Sequence, residues 1–280
     1  MSLFVQTNVS SLVAQENFSK TQLQLNKTME QLSSGYKINS ASDDAAGLGI
    51  ASRLSAQVGA YTAATQNANT AISMTQTADG GAAQIGDILT RLSQLAVEGS
   101  SGTMSANDAA NLEQEFSAQL TEITNIANNT TYNGQSLLAN AAATTTFQVG
   151  ITNSANDQVQ VSFGGADATN LVAGGALSAA SVSTAAQALA AISTINTAIQ
   201  NLSSIRAGFG AGMDALQDTV SNLQSMSTNT SAALSTVQDT DVASATAQLA
   251  QQQVLSQAGE AILAQANQST QLAVSLIHGQ

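Results

Sequence analysis

The sequence has no cysteine, no proline and no tryptophan among its 280 residues. Without cysteine, the chain forms neither a disulfide framework nor a thiolate metal site. Its one histidine, His278, lies near the C-terminal end, which excludes a Ser-His-Asp triad and a multi-histidine metal site. Because proline breaks helix interiors, its absence is compatible with very long helices.

Charged residues are also scarce, at 9% of the chain against about 25% in ordinary soluble proteins. The 18 Asp and Glu residues outnumber the 6 Lys and Arg residues, giving a net charge of −12. This balance argues against a nucleic acid partner, whose phosphates require basic clusters. The apolar runs are too short to span a membrane. Residues 1–20 lack a basic segment followed by an apolar block, so we expect no cleaved signal peptide.

The strongest periodic pattern runs from Ile192 to Val237, where apolar residues recur at alternating spacings of three and four. This spacing, sustained over more than six heptads, predicts a coiled-coil-like helix roughly 70 Å long. The alternative is a long helix inside an ordinary bundle. The positions of this stripe are Ile192, Ile195, Ile199, Leu202, Arg206, Phe209, Met213, Leu216, Val220, Leu223, Ser227, Thr230, Leu234 and Val237.

The first half of the chain carries a less regular helical pattern. Gly80-Gly81 marks a weak point or a break in it, and Ser100-Ser101-Gly102 is a stop signal. A further helix follows, with Asn107 or Asp108 as its expected N-cap. The apolar stripes of these segments are Ile50, Leu54, Val58, Tyr61, Ala68 and Ile72, then Ile85, Ile88, Leu92 and Leu95, and finally Leu112, Phe116, Leu120, Ile123 and Ile126.

Between the helical halves the apolar period changes to two, which predicts a β-hairpin over residues 146–163 with a loop at 152–157. Tyr132-Asn133-Gly134 is a turn signal. Residues 164–185 are rich in Gly, Ala, Ser and Thr, and we expect a surface loop there.

Both ends of the chain carry narrow apolar stripes with few charges. Neither stripe buries enough surface to stabilise a lone helix, so we expect both ends to be mobile in the monomer and to fold on association. Contacts between copies that do not close into a ring give a helical filament. The predicted subunit contacts are Phe18, Leu25, Met29 and Leu32 near the N-terminus, and Leu255, Ile262, Leu272 and Leu276 near the C-terminus.

Few residues offer catalytic or metal chemistry. Asp43-Asp44 could form a carboxylate pair, but we interpret it as a helix start, with Ser42 or Asp43 as the cap. Asp239 and Asp241 lack further metal ligands nearby, so solvated loop acids are expected. We therefore predict a protein that is not an enzyme and has no catalytic residue, cofactor or metal site.

Residues 32–48 read LSSGYKINSASDDAAGL and resemble the N-terminal signature of bacterial flagellins. The likeness continues through residues 66–80, 92–97 and 132–134. Near the other end, residues 257–259 (QAG) and 263–268 (LAQANQ) are similar to the C-terminal flagellin motif, although Thr270 stands where that motif commonly has proline. The resemblance covers roughly residues 1–165 and 186–277.

The resemblance implies a mainly α fold: a long coiled-coil-like helical bundle with both termini paired, plus a small β-hairpin region. Residues 1–44 and 237–280 would form the two halves of the inner-tube region D0, and residues 45–185 and 186–236 the surrounding region D1. The short middle segment implies a minimal flagellin without outer domains.

The same resemblance implies an extracellular filament subunit that serves motility. It would be exported unfolded by the flagellar type III apparatus and would polymerise with copies of itself. The implied partners are an export chaperone, the filament cap and hook-associated proteins. Arg91, Leu95 and Glu115 match positions that contact the flagellin-sensing Toll-like receptor in some flagellins.

Three alternatives compete with a filament subunit. A hook–filament junction protein would share the N-terminal signature and the D0/D1 plan, but the full QAN-Q motif at 265–268 favours the filament. A coiled-coil surface adhesin would not explain the motifs at both ends. An enzyme would need a catalytic insert, for which the middle of the chain has no room.

Overall fold

A computed structural model describes residues 7–278, and side chains as far as residue 268. The fold is mainly α, as predicted, with two small antiparallel sheets. The helices are α1 (Val9–Ser34), α2 (Ala45–Gly99), α3 (Ala106–Asn129), α4 (Ala185–Gln238) and α5 (Val242–His278), and the strands are β1 (Thr131–Tyr132), β2 (Gln135–Ser136), β3 (Ala143–Gln148) and β4 (Gln158–Phe163).

The described chain divides into two compact units. The central unit is Gln57–Thr228, and the terminal unit comprises residues 7–56 and 229–278. Helices α2 and α4 contribute residues to both units. Each unit is described by itself below.

Helix α4 is a single helix of 54 residues, which confirms the long helix predicted from the apolar repeat. Ile195, Leu202, Phe209 and Leu216 from the predicted stripe are buried in the core of the central unit. Arg206 lies at the edge of this stripe, where its guanidinium pairs with the carboxylate of Asp79 on α2 through bonds of 2.7 and 3.3 Å. The hydrogen bond to Asp79 raises the pKa of Arg206.

Helix α2 runs without interruption through Gly80-Gly81, where the sequence predicted a weak point or break. Close packing explains the glycine at position 81. A Cβ there would lie 2.4 Å from Thr130 Oγ1 and 2.9 Å from Leu138 Cδ1. Gly81 thus allows the segment after α3 to approach α2. The predicted stop signal at 100–102 is where the helix does end.

The N-cap of α3 is Ser105, and the prediction of Asn107 or Asp108 was wrong. The hydroxyl of Ser105 accepts a hydrogen bond from the Asp108 amide at 3.2 Å and donates one to the Asp108 carboxylate at 2.6 Å. This reciprocal arrangement resembles a capping box. Asp108 therefore takes the third helical position, where its charge also suits the helix dipole.

Both β-hairpins follow from local sequence. Asn133 and Gly134 have φ of 49° and 78°, so the β1–β2 connection is a two-residue turn with both residues in the left-handed region. Strands β3 and β4 confirm the second hairpin, although pairing begins at Ala143 and the loop starts at 149. Phe163 of β4 packs against Phe209 of α4, with ring centroids 5.7 Å apart.

Residues 164–185 were expected to form a surface loop, and the structure corrects this. Leu171, Val172, Leu177 and Val182 are buried in the core of the central unit. The carboxylate of Glu113 on α3 accepts hydrogen bonds from the Val182 amide at 2.6 Å and the Ser181 hydroxyl at 3.0 Å. The segment after β4 is therefore part of the core of the central unit.

In the terminal unit, Asp44 caps α2 by accepting hydrogen bonds from the amides of Ala46 and Gly47 at 3.1 and 2.9 Å. The expected caps, Ser42 and Asp43, do not fill this position. Asp43 instead pairs with Lys27 of α1 at 2.8 Å and accepts hydrogen bonds from the amides of residues 39 and 40. Asp43 therefore holds the connector between α1 and α2 against α1.

Replacing Phe209 with alanine is expected to destabilise the central unit by about 3–5 kcal/mol, because it opens a cavity in a close-packed core. Thermal and denaturant unfolding of purified protein would measure the loss. Leu189→Ala on the same helix is the matched control, since Leu189 is 60% exposed. Equal stability of the two variants would contradict the assignment of Phe209 to the core.

The hydrogen bond from Lys27, together with those from Ser40, lowers the pKa of Asp43 to about 2 from its usual 3.8. Because the folded value is the lower one, these interactions stabilise the connector above about pH 4 and are lost as the pH falls through about 2. An NMR titration of the Asp43 carboxylate should give the low value, and Lys27→Met should move it upward. A pKa that does not respond to this substitution would contradict the role of the ion pair.

Candidate self-assembly surface

Helix α1 is bounded by clear local signals. The side chain of Asn8 accepts a hydrogen bond from the Ser11 amide at 3.1 Å, and Gly35 ends the helix with a left-handed φ of 76°. Apart from the half-buried Gln22 and Gln31, the buried and half-buried positions of α1 then recur at spacings of three and four. These positions are Ser11, Ala14, Phe18, Thr21, Leu25, Thr28 and Leu32.

Helix α5 begins at Val242 after Asp241, whose carboxylate accepts hydrogen bonds from the amides of residues 243 and 244. Its protected positions show the same heptad spacing as those of α1. They are Ala245, Leu249, Gln252, Ser256, Gly259, Leu263 and Ala266. We call these two sets of seven positions the terminal seam.

The two helices pack antiparallel along the terminal seam. At one end, the Asn8 side chain donates to the Ala266 carbonyl at 2.8 Å. Further along, Phe18 lies on Gly259, where an added Cβ would be 3.1 Å from Phe18 Cδ2. The heptad spacing of both helices then sets Leu32 level with Ala245. Large residues thus alternate with small ones across the seam, which lets the helices approach closely.

The structure separates the predicted subunit-contact residues into two groups. Phe18, Leu25 and Leu32 are half-buried on the terminal seam. Met29 is 48% exposed, and Leu255 and Ile262 are 49% and 59% exposed. The side chains of Leu272 and Leu276 lie outside the described residues.

A groove of about 180 Å³ lies beside the terminal seam. Phe18 lines it from α1, and the exposed side chains of Leu255 and Ile262 line it from α5. Its other lining residues are Ala14, Asn17, Thr21, Ala258 and Gly259. An apolar groove with such exposed walls is suited to receive an apolar side chain from another molecule.

Exposed apolar residues concentrate in the terminal unit. Of fourteen large apolar side chains that stay exposed in the described part, only Val97, Leu189 and Met226 belong to the central unit. The terminal unit holds Val9, Leu12, Val13, Leu23, Met29, Tyr36, Ile50, Val242, Val254, Leu255 and Ile262. Its buried apolar residues among the described side chains are just Ala14, Ile38, Ala51 and Ala245. The terminal unit thus lacks a core of large side chains.

The three residues of the predicted receptor patch lie in the central unit. The Arg91 guanidinium donates two hydrogen bonds, of 2.6 and 2.9 Å, to one Glu115 oxygen, and both side chains are nearly half exposed. Leu95 is only 1% exposed and packs in the core. Leu95 therefore does not face solvent beside the exposed ion pair.

Within residues 7–278, no three His, Cys, Asp or Glu residues come together as a metal site would require. The four acids considered as catalytic or metal-binding candidates have structural roles or lie in a connector. Asp44 and Asp241 cap helices, and Asp43 pairs with Lys27. Asp239 lies in the connector between α4 and α5.

None of the helices, as far as they are described, has an apolar stretch long enough to span a membrane.

The apolar pattern of the sequence predicted Phe18, Leu25 and Leu32 but not the terminal seam as a whole. Most of its remaining positions are Ser, Ala, Thr, Gly or Gln, which carry no apolar signal. Gly259 was the available clue, because a glycine inside a long helix without a break indicates close approach of another group.

Gly259→Leu should force Phe18 out of the terminal seam, and overpacking of this kind costs about 1–3 kcal/mol. We expect the critical concentration for self-association to rise roughly tenfold or more. Gly49→Leu is the matched control, because nothing lies within 4 Å of a Cβ at Gly49. Adding Phe18→Ala to Gly259→Leu should restore part of the loss. Equal critical concentrations for the two single variants would refute close packing at this position.

Comparison with known proteins identifies the family. The family model of the bacterial flagellin N-terminal helical region matches residues 5–143, and that of the C-terminal helical region matches residues 192–277. The flagellin of Listeria innocua is 34% identical, over 98% of this chain and 99% of its own length.

Two further relatives match part of the chain. The B-type flagellin of Pseudomonas aeruginosa is 43% identical over 60% of this chain, which spans about a third (34%) of that protein. A crystal structure of Bacillus cereus flagellin is 26% identical, with a TM-score of 0.47, over 60% of this chain and 94% of that one. From the two family models and the full-length relative, the chain belongs to the bacterial flagellin family, whose members are structural subunits of the flagellar filament.

Proposed function

We propose that this flagellin polymerises through its terminal unit, most of which would belong to the inner D0 region of an extracellular filament. The observation that carries the proposal is the contrast between the units. The central unit buries its large apolar side chains, while the terminal unit leaves most of its own exposed. Copies of the chain would supply the missing contacts.

The exposed apolar residues of the terminal unit lie on two different faces. Val254, Leu255 and Ile262 lie on α5, the last two beside the groove. Val9, Leu12 and Leu23 lie on the side of α1 that helical spacing turns away from Phe18 and Leu25. Two unlike faces favour heterologous contacts, which extend into an open helical polymer when the rotation does not close.

The free energy gained by burying these exposed apolar side chains is sufficient for association. Fully burying one Leu, Ile or Val side chain contributes about 1.5–3 kcal/mol. Burial of a few of the exposed side chains at each contact would offset several kcal/mol of lost rotational and translational freedom. Repeated along a filament, such contacts stabilise a polymer although each helix pair alone is weak.

The remaining assignments rest on the family resemblance together with the helix pairing. Residues 1–44 and 237–280 would form D0, and the chain between them D1. We expect export in an unfolded state through the flagellar type III apparatus, with an export chaperone, the filament cap and hook-associated proteins as partners. Terminal helices that lack a core of their own suit a chain that folds fully only on assembly.

Contact with the flagellin-sensing Toll-like receptor is a second, separate proposal. The exposed ion pair of Arg91 and Glu115 supports it, since both side chains are accessible on neighbouring helices. Leu95 would contribute by holding α2 in place from the core.

Leu255→Ser combined with Ile262→Ser should weaken polymerisation without unfolding the central unit. Each substitution removes an apolar side chain that would be buried only between copies, so we expect the critical concentration to rise at least roughly tenfold. Sedimentation and electron microscopy of seeded growth would measure it. The control is Leu189→Ser, an equally exposed residue of the central unit. Unchanged assembly of the double variant would rule out this surface as a subunit contact.

A further inference from the structure

Two chain connections pair with each other inside the terminal unit. Residues 35–44 join α1 to α2, and residues 239–241 join α4 to α5. Tyr36 and Asp239 face each other as an antiparallel pair. The Lys37 amide donates to the Gln238 carbonyl at 2.7 Å, and the Thr240 amide donates to the Gly35 carbonyl at 2.9 Å. We call residues 35–37 and 238–240 the clasp.

The first connector is fixed on both sides of the clasp. On the α1 side, the Gln31 amide group donates to the Lys37 carbonyl at 2.8 Å. On the α2 side, Ile38 is buried against Gly47, where a Cβ would lie 2.6 Å from Ile38 Cδ1. The second connector has three residues, and the last of them, Asp241, caps α5. These contacts, and the shortness of the second connector, favour the pairing observed in the clasp.

The clasp lies at the root of the terminal seam. Leu32 and Ala245, which the register sets at the same level, are the seam positions that come next to it in each helix. Beyond them the seam is built largely from small and polar side chains. Phe18 on Gly259 favours one register, but at most other positions a shift along the helix exchanges one small or polar residue for another, so few seam contacts specify the register. The backbone hydrogen bonds of the clasp fix one point of the alignment between α1 and α5, and this point sets the register of the seam.

We propose that the clasp nucleates the pairing of α1 with α5 and sets its register when the terminal unit folds on assembly. Bringing two distant segments together costs chain entropy, and nucleating an isolated helix is also unfavourable. Once residues 36 and 239 are paired, each further pair of seam positions lies next to a pair that has already formed, so its contacts close only a short loop. The inference rests on the proposed polymerisation through the terminal unit.

A disulfide at the clasp tests this. Tyr36 and Asp239 form a non-hydrogen-bonded antiparallel pair, whose Cα atoms are typically about 4.5 Å apart and within reach of a disulfide. The chain has no other cysteine, so Tyr36→Cys with Asp239→Cys can form only one intramolecular bond. Lys37→Cys with Asp239→Cys is the matched control, since adjacent residues of a strand point to opposite sides.

We expect mild oxidation to close the 36–239 disulfide but not the 37–239 control. The oxidised 36–239 variant should elongate filament seeds at a critical concentration at least about threefold below that of its reduced form, because closing the clasp in advance removes part of the entropy cost. Each single-cysteine variant, treated with the same oxidant, should show no decrease.

Three results would overturn the proposal: no disulfide at 36–239, an oxidised variant that elongates no better than the reduced one, or growth that stops until the bond is reduced. A failure of the proposed function is distinguishable from these. In that case the untreated natural chain and the reduced variant would not polymerise either.

Discussion

Small side chains set the distance between α1 and α5, and the terminal unit depends on that distance. Phe18 can lie on α5 only because position 259 has no Cβ. Small side chains also limit the free energy that pairing of α1 with α5 contributes by itself. An alanine or serine buries little apolar area, and the hydrophobic contribution scales with that area. The terminal seam is therefore close but weak. Other interactions have to complete it, and the structure offers two: hydrogen bonds at its root and exposed apolar side chains on its outer faces.

The central unit follows the opposite principle. Phe116, Phe209, Ile195 and Leu92 are fully buried, and even the Gly- and Ala-rich segment after β4 contributes Leu171 and Leu177 to the core. Most of the charge also lies there: eleven acidic residues against Arg91 and Arg206, both of which are paired with an acid, whereas seven acidic and four basic residues lie in the rest of the chain. Charge repulsion between copies would thus act mainly between central units, which have a complete core of their own. The nearly neutral α5 is better suited to contact between copies.

How much the sequence predicts depends on the size of the side chains that carry the signal. The apolar stripe of α4 places a large residue at most heptad positions, so helix, length and buried face could all be predicted. Gly81 was misread because its reason is a contact with Thr130 and Leu138, about fifty residues away. The terminal seam was only partly found, since Ala14, Thr28 and Gly259 look neutral in sequence. Leu255 and Ile262 stood out as apolar, but which of the apolar residues stay exposed depends on where α1 lies. Leu95 shows the converse: a motif position that the fold buries.

The location of the two terminal helices in the sequence has a physical consequence. Helices α1 and α5 come from opposite ends of the described chain, and what lies between them includes a unit with a full core. That core requires neither terminal helix, because its buried residues all belong to residues 57–228. The central unit can thus fold first, and chain connectivity through α2 and α4 keeps the two terminal helices in one molecule. The terminal helices then meet as attached segments at high effective concentration, which favours pairing within a chain over pairing between chains. A weak seam is sufficient for pairing under those conditions. Growth of the polymer then depends on contacts between the outer apolar faces of different copies.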